Sequence, residues 1–109
     1  MNRGTREEAL ERMLDLAVRV SREQARSALE PLRLYDEAHH ADLLRTLAIY
    51  LRLGCNASRT AERLYLHRSG LLYRLSRIES LLGIDLSNFD HRVALEVAVL
   101  AVVRDQTDN

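Results

Sequence analysis

Apolar residues recur along this chain at intervals of three and four, a helical period. Leu10, Met13, Leu14, Ala17 and Val20 form the first stripe, and Thr5 with Glu8 fits a capping box, which predicts a helix over about residues 6–20 with one sticky face. Ser21 with Gln24 repeats the capping signal, and Ala25, Ala28, Leu29 and Leu32 carry a second helix that Pro31 bends or ends. A third helix, from about Ala38 to Leu53, buries Leu43, Leu44, Leu47, Tyr50 and Leu51 and is stopped by Gly54. Asn56 then caps a short helix through Tyr65 with Ala61 and Leu64 facing inward, and the tight step from Tyr65 to His67 opens a longer helix from Arg68 to Leu82, closed by Gly83. A last helix starts near residues 87–90 and runs through Val93, Leu95, Val97, Leu100 and Val103 to about Arg104. Its β-branched residues would also suit a strand, yet the chain offers no second strand or hairpin turn to pair with it.

The pattern therefore reads as all-α, five or six helices with a tri-helical helix-turn-helix core and no sheet. Residues 1–37 form an N-terminal helical segment and residues 38–109 the helix-turn-helix unit. A length of 109 residues suits one core. The longest apolar run, Val97 to Val103, is far short of the roughly 20 residues that span a bilayer, and the charged N-terminus lacks the apolar centre of a signal peptide. A cytoplasmic protein is expected. Cys55 is the one cysteine, so no intrachain disulfide can form, and its plainest reading is a buried thiol. His39, His40, His67 and His91 have no metal-ligand spacing, no Ser/His/Asp arrangement can be placed, and there is no Gly-rich phosphate loop. No enzyme, metal or cofactor is expected.

Net charge is zero, which on its face argues against nucleic acid, but the charge is unevenly placed. Residues 1–44 carry seven Arg and nine acids, residues 45–77 seven Arg and one acid, Glu62, and residues 78–109 two Arg and six acids. A basic block between acidic ends suits a phosphate-facing surface, and the use of Arg without Lys suits forked bonds to phosphate or guanine, although genome composition would produce the same bias equally well.

At 100° per residue, Leu71, Leu75, Ile78 and Leu82 make the buried stripe of the longer helix. Ser69, Tyr73, Ser76, Arg77 and Ser80 then face outward, with Leu72 and Arg74 on the flanks and Arg68 in the first turn. Short hydroxyl side chains allow close approach to a major groove, Arg can bond guanine O6 and N7, and Tyr can reach a phosphate or a thymine methyl. Ser69, Tyr73 and Arg77 are assigned to base edges with Ser76 at the margin. Arg68, Arg74, Asn56, Ser58 and Arg59 are assigned to phosphates, because the first helix of such a pair crosses the backbone. Gly70 sits inside the longer helix at a cost of about 1 kcal/mol against Ala, either admitting the DNA backbone or merely tolerated.

The stretch from Asp42 to Leu100 also resembles the C-terminal helix-turn-helix of PucR/CdaR-type transcription regulators, and more distantly the Fis-type DNA-binding helices. The matching words are Leu43-Leu44-Arg45-Thr46-Leu47, Tyr50-Leu51, Asn56 with Thr60-Ala61, Leu66-His67-Arg68, Tyr73-Arg74-Leu75, Ile78-Glu79 and Leu82-Gly83-Ile84-Asp85-Leu86. Leu29 to Asp36 resembles the family's lead-in. The resemblance implies a tri-helical DNA-binding core, control of metabolic genes, and a larger parent with a sensor region, where a small-molecule effector would bind. Two departures stand out. Ser69-Gly70 replaces the usual Asn-Thr, and the glycine common in helix-turn-helix turns is missing, with Tyr65 near its place.

A helical protein-interaction or dimerisation module and an effector-binding fragment would explain the apolar stripes but not the basic block. Dimerisation is compatible with DNA binding, since paired units meet half-sites about 34 Å apart. A homodimer on a roughly palindromic duplex is expected, its seam formed by the helix at residues 6–20 or by the last helix.

Overall fold

The computed structural model describes the backbone of residues 3–107 and the side chains of residues 4–103. Its described residues form five helices and no strand: α1 (Arg3–His39), α2 (Leu43–Arg52), α3 (Ala57–Arg63), α4 (Arg68–Leu82) and α5 (Phe89–Thr107). The principal-axis extents are 48 × 28 × 26 Å.

The largest difference from expectation lies in α1. The boundaries expected near Ser21 and Pro31 are absent, and Ala38 and His39 belong to the end of α1 rather than the start of the next helix. Pro31 removes one backbone N–H and costs about 3 kcal/mol within a helix, but Leu29 and Leu32, on either side of it, are buried at 3% and 0% exposure and hold the segment in register with the core. Arg33 adds ion pairs to Glu30 and Glu37, at 2.6 and 3.0 Å, across this stretch. The Ser21 and Gln24 signal sits mid-helix, where uninterrupted helical period outweighs a local cap.

The chain turns at His40, which takes a left-handed φ of 49°. α2 then starts at Leu43 rather than near Ala38 because Asp36, one turn before the end of α1, accepts hydrogen bonds from Leu43 N (2.7 Å) and Leu44 N (3.0 Å). One carboxylate thus satisfies two of the otherwise unpaired N–H groups of a helix N-terminus and fixes the angle between α1 and α2. Gly54 ends α2 as expected, with φ 69°, and Cys55 continues the left-handed turn at φ 60° while its N–H donates to Tyr50 O at 2.8 Å. Gly83, at φ 66°, closes α4 by donating to Glu79 O at 2.8 Å. Glu79 Oε2 also accepts from Leu86 N at 2.9 Å, tying the α4–α5 connection back onto α4. Asn88 Oδ1 accepts from His91 N at 3.0 Å and caps α5.

One core runs through all five helices. Leu29 and Leu32 of α1, Leu43, Leu47 and Leu51 of α2, Ala61 of α3, Leu71, Leu75 and Ile78 of α4, and Leu95, Ala98, Val99 and Ala101 of α5 share it. α1 makes its most extensive contact with α5, and the pair buttresses the α2–α4 triangle. The apolar stripes differ in how far they are buried. Leu10, Met13 and Val20 are 64%, 67% and 69% exposed, so the stripe expected at residues 6–20 faces away from the core, and Val18 at 1% is the buried residue there. Ala28 is exposed, Leu82 is only half-buried, and Val93 and Val103 of α5 stand at the surface.

Candidate nucleic-acid interface

α3 and α4 sit against α2 as the second and third members of a tri-helical unit. Thr60 and Ala61 bury α3, and Thr60 Oγ1 donates to Asn56 O at 2.7 Å, which lets a polar residue lie wholly inside. α3 ends at Arg63, two residues earlier than expected, and Leu66 N donates to Ala61 O at 2.9 Å across the turn. Tyr65 fills the place where a glycine is usual, takes φ 55° itself, and leaves its side chain 97% exposed. A left-handed non-glycine residue costs about 1–2 kcal/mol, so the packing of Leu64 and Leu66 against the core must outweigh it.

α4 spans the expected Arg68–Leu82. Leu71, Leu75 and Ile78 are inside at 0%, 6% and 0% exposure, while Ser69, Leu72, Tyr73, Ser76, Arg77 and Ser80 are all exposed. The orientation that the periodicity demands is therefore realised, with the hydroxyls of Ser69, Tyr73, Ser76 and Ser80 and the guanidinium of Arg77 outside. Gly70 is ordinarily helical, and a Cβ built on it would meet nothing within 4 Å.

The residues singled out from sequence are placed as follows. Arg68 Nη1 lies 3.4 Å from Ser58 Oγ, which brings the first turns of α3 and α4 onto one surface. Ser58 and Arg59 are exposed there. Asn56 is exposed too, but its side-chain oxygen is spent as the α3 cap, accepting from Arg59 N at 2.9 Å. Arg74 turns away from the others: it is half-buried, and its Nη1 donates to Thr46 Oγ1 at 3.0 Å, linking α4 to α2. Thr46, wholly buried, donates its own hydroxyl hydrogen bond to Asp42 O at 2.6 Å. Of the seven arginines between residues 45 and 77, Arg74 alone is not exposed, so the basic block is a surface property.

Arg77 has a neighbour that periodicity alone did not supply. Its Nη2 donates to Tyr73 Oη at 3.3 Å, and its guanidinium lies 5.5 Å from the ring centroid of Tyr35 on α1 and 5.9 Å from that of Tyr73. The hydrogen bond to the Tyr73 hydroxyl, followed by the electrostatic influence of Tyr73 and Tyr35, raises the Arg77 pKa above its ordinary value and keeps it a fixed cation. Tyr35 is in turn held edge-on by His39, with ring centroids 4.2 Å apart. The signal for Tyr35 was available: it lies one turn beyond Leu32 on the same helix, provided that Pro31 does not end that helix.

The model of the PucR C-terminal helix-turn-helix domain family matches residues 43–101, from the first residue of α2 into α5. The chain belongs to that family. The PucR-type domain accounts for the tri-helical unit, and with it for DNA-binding transcription regulation as the class of function. The chain is 43% identical over 77 residues to the carbohydrate diacid regulator of Escherichia coli (strain K12), covering 70% of this chain and 20% of that protein. It is 44% identical over 57 residues to the purine catabolism regulatory protein of Bacillus subtilis (strain 168), covering 52% and 11% respectively. A proline-responsive transcriptional activator, PutR, of the same Bacillus strain is 41% identical over 64 residues, 59% of this chain and 16% of the relative. The chain thus spans a fifth or less of the length of these regulators. No solved structure matches it. Among the described residues no helix is long and apolar enough to cross a membrane, and no three His, Cys, Asp or Glu side chains are grouped to hold a metal ion.

Proposed function

We propose that this PucR-type domain binds duplex DNA sequence-specifically by laying the outer face of α4 in the major groove. Ser69, Tyr73 and Arg77 meet base edges, and Ser76 lies at the margin of the groove. Arg68, Ser58 and Arg59 meet phosphates from the paired ends of α3 and α4, with Asn56 contributing through its amide nitrogen. Arg74 reaches a phosphate only with the donors that Thr46 leaves over. The observation that carries this reading is the orientation of α4, whose Leu71, Leu75 and Ile78 are inside and whose Ser69, Tyr73, Ser76 and Arg77 are outside, with the exposed Arg68 beside Ser58 of α3.

The parent protein is a cytoplasmic regulator of metabolic genes without catalytic activity of its own, in keeping with relatives named for carbohydrate diacids, purines and proline. Residues 1–37 lead from a sensor region outside this chain, which takes the small-molecule effector, into the DNA-binding unit at 38–109. The domain acts as a homodimer on a roughly palindromic site.

Selection of binding sites from random duplex DNA tests this reading, followed by titration of the selected duplex. Arg77→Ala is expected to relax base preference and weaken specific binding by about 1–3 kcal/mol. Arg59→Ala is expected to weaken binding to every sequence and flatten the salt dependence. Equal losses for both variants on all sequences would contradict the division into base and phosphate contacts, and no enriched sequence would contradict specific binding.

A further inference from the structure

The N-terminal half of α1 carries an apolar face that the described residues leave uncovered. Leu10, Met13, Leu16 and Val20 are 64%, 67%, 59% and 69% exposed, and Leu14 is 39% exposed. At 100° per residue Leu10, Met13, Ala17 and Val20 fall on one side of the helix, beside the line of Val18, Ala25 and Leu29 that packs into the core. Their spacing of three, four and three is that of the a and d positions of a two-heptad coiled-coil seam, and Leu14 and Leu16 flank it at e and g. Together these five side chains leave roughly 500–600 Å² open, the top of the range for a monomer's largest apolar patch and about one side of a small specific interface.

Charge along the same segment has a polarity. Residues 7–15 hold Glu7, Glu8, Glu11 and Asp15 against Arg12, whereas residues 16–26 hold Arg19, Arg22 and Arg26 against Glu23. A parallel pair would set acidic end beside acidic end, and an antiparallel pair sets acidic beside basic. The apolar register agrees with the second arrangement: with the two-fold axis near residue 15, Leu10 comes opposite Val20 of a second copy, Met13 opposite Ala17, and the Leu14 and Leu16 pairs close the centre. The last helix is the weaker candidate, because Leu95, Ala98, Val99 and Ala101 are already buried inside the chain.

We infer that the segment from Leu10 to Val20 of α1 is the homodimer seam, pairing antiparallel with the same segment of a second copy. This deepens the dimer proposed above and rests on it, but its readout is independent of DNA.

The intact chain in sedimentation velocity is expected to shift from dimer to monomer as it is diluted from the order of 100 µM to the order of 1 µM, as suits so small an interface. Met13→Glu with Val20→Glu is expected to be monomeric throughout, with an unchanged helical spectrum since both positions are exposed, and to keep its affinity for a single half-site duplex. In a Cys55→Ser background, mixing Met13→Cys chains with Ala17→Cys chains is expected to cross-link more than either chain alone. Cross-linking of each chain with itself, with no product joining the two kinds of chain in the mixture, would mean a parallel seam and overturn the orientation. A wild-type chain monomeric at all concentrations, or a double variant still dimeric, would overturn the seam, while loss of DNA binding by Arg77→Ala would leave the DNA-binding reading standing.

Discussion

The α2–α4 unit and the N-terminal half of α1 carry apolar stripes of similar regularity, yet they behave oppositely. In α4 the stripe of Leu71, Leu75 and Ile78 is inside the molecule, and in α1 the stripe of Leu10, Met13 and Val20 is in solvent. Periodicity states which face of a helix prefers to leave water, but it does not say what will cover that face. Where the cover is two short helices joined by tight turns, as for α4, the partner lies within the same chain and local spacing is sufficient. In the N-terminal half of α1 the same pattern describes a surface that the described residues leave in solvent.

Unfolding measurements sharpen this contrast most. Leu71→Ala is expected to destabilise the fold by about 2–5 kcal/mol, from lost transfer free energy and the cavity left behind. Leu10→Ala, measured by the same thermal or urea unfolding at concentrations where the chain is monomeric, is expected to stay within about 0.5 kcal/mol. Comparable losses at both positions would erase the distinction between the two stripes.

A smaller effect is expected at the joint between the regions. Asp36→Ala leaves Leu43 N and Leu44 N without their acceptors and should cost about 1–2 kcal/mol. Asp36→Asn should recover part of this, because its amide oxygen can still cap one of them. If the alanine variant unfolds like the wild type, the carboxylate does not set the start of α2. Gly70→Ala should have the mildest effect on the fold, a gain of about 1 kcal/mol in helix propensity with no clash. Weaker binding to the selected duplex despite that gain would show that the bare backbone at Gly70 matters for close approach to DNA. Unchanged binding would make it a tolerated glycine.

Much of the α2–α4 unit was legible in the sequence because its boundaries are written in local chemistry. Asn56 caps α3, Gly54 and Gly83 take left-handed turns, and four-residue spacing orients α4. What was illegible depended on long-range packing. Pro31 reads as a helix end, but the burial of Leu29 and Leu32 overrides it. Asp36 reads as a surface acid, and its capping role needs the turn at His40 to bring α2 within reach. Within the candidate site, the exposure of Ser69, Tyr73, Ser76 and Arg77 followed from the angles alone. The inward bond of Arg74 to Thr46 did not, since Thr46 gives no sign in sequence that it is buried. Nor did the seat of Arg77 over Tyr35, because a contact between α4 and α1 becomes visible only once α1 continues past Pro31.

The most direct test of α4 as the DNA-reading surface is nuclear magnetic resonance of the chain titrated with its selected duplex. Large shift changes are expected at Ser69, Tyr73, Ser76 and Arg77, with smaller ones at Ser58, Arg59 and Arg68. Shifts concentrated on α1 or α5, with the outer face of α4 unchanged, would contradict the account.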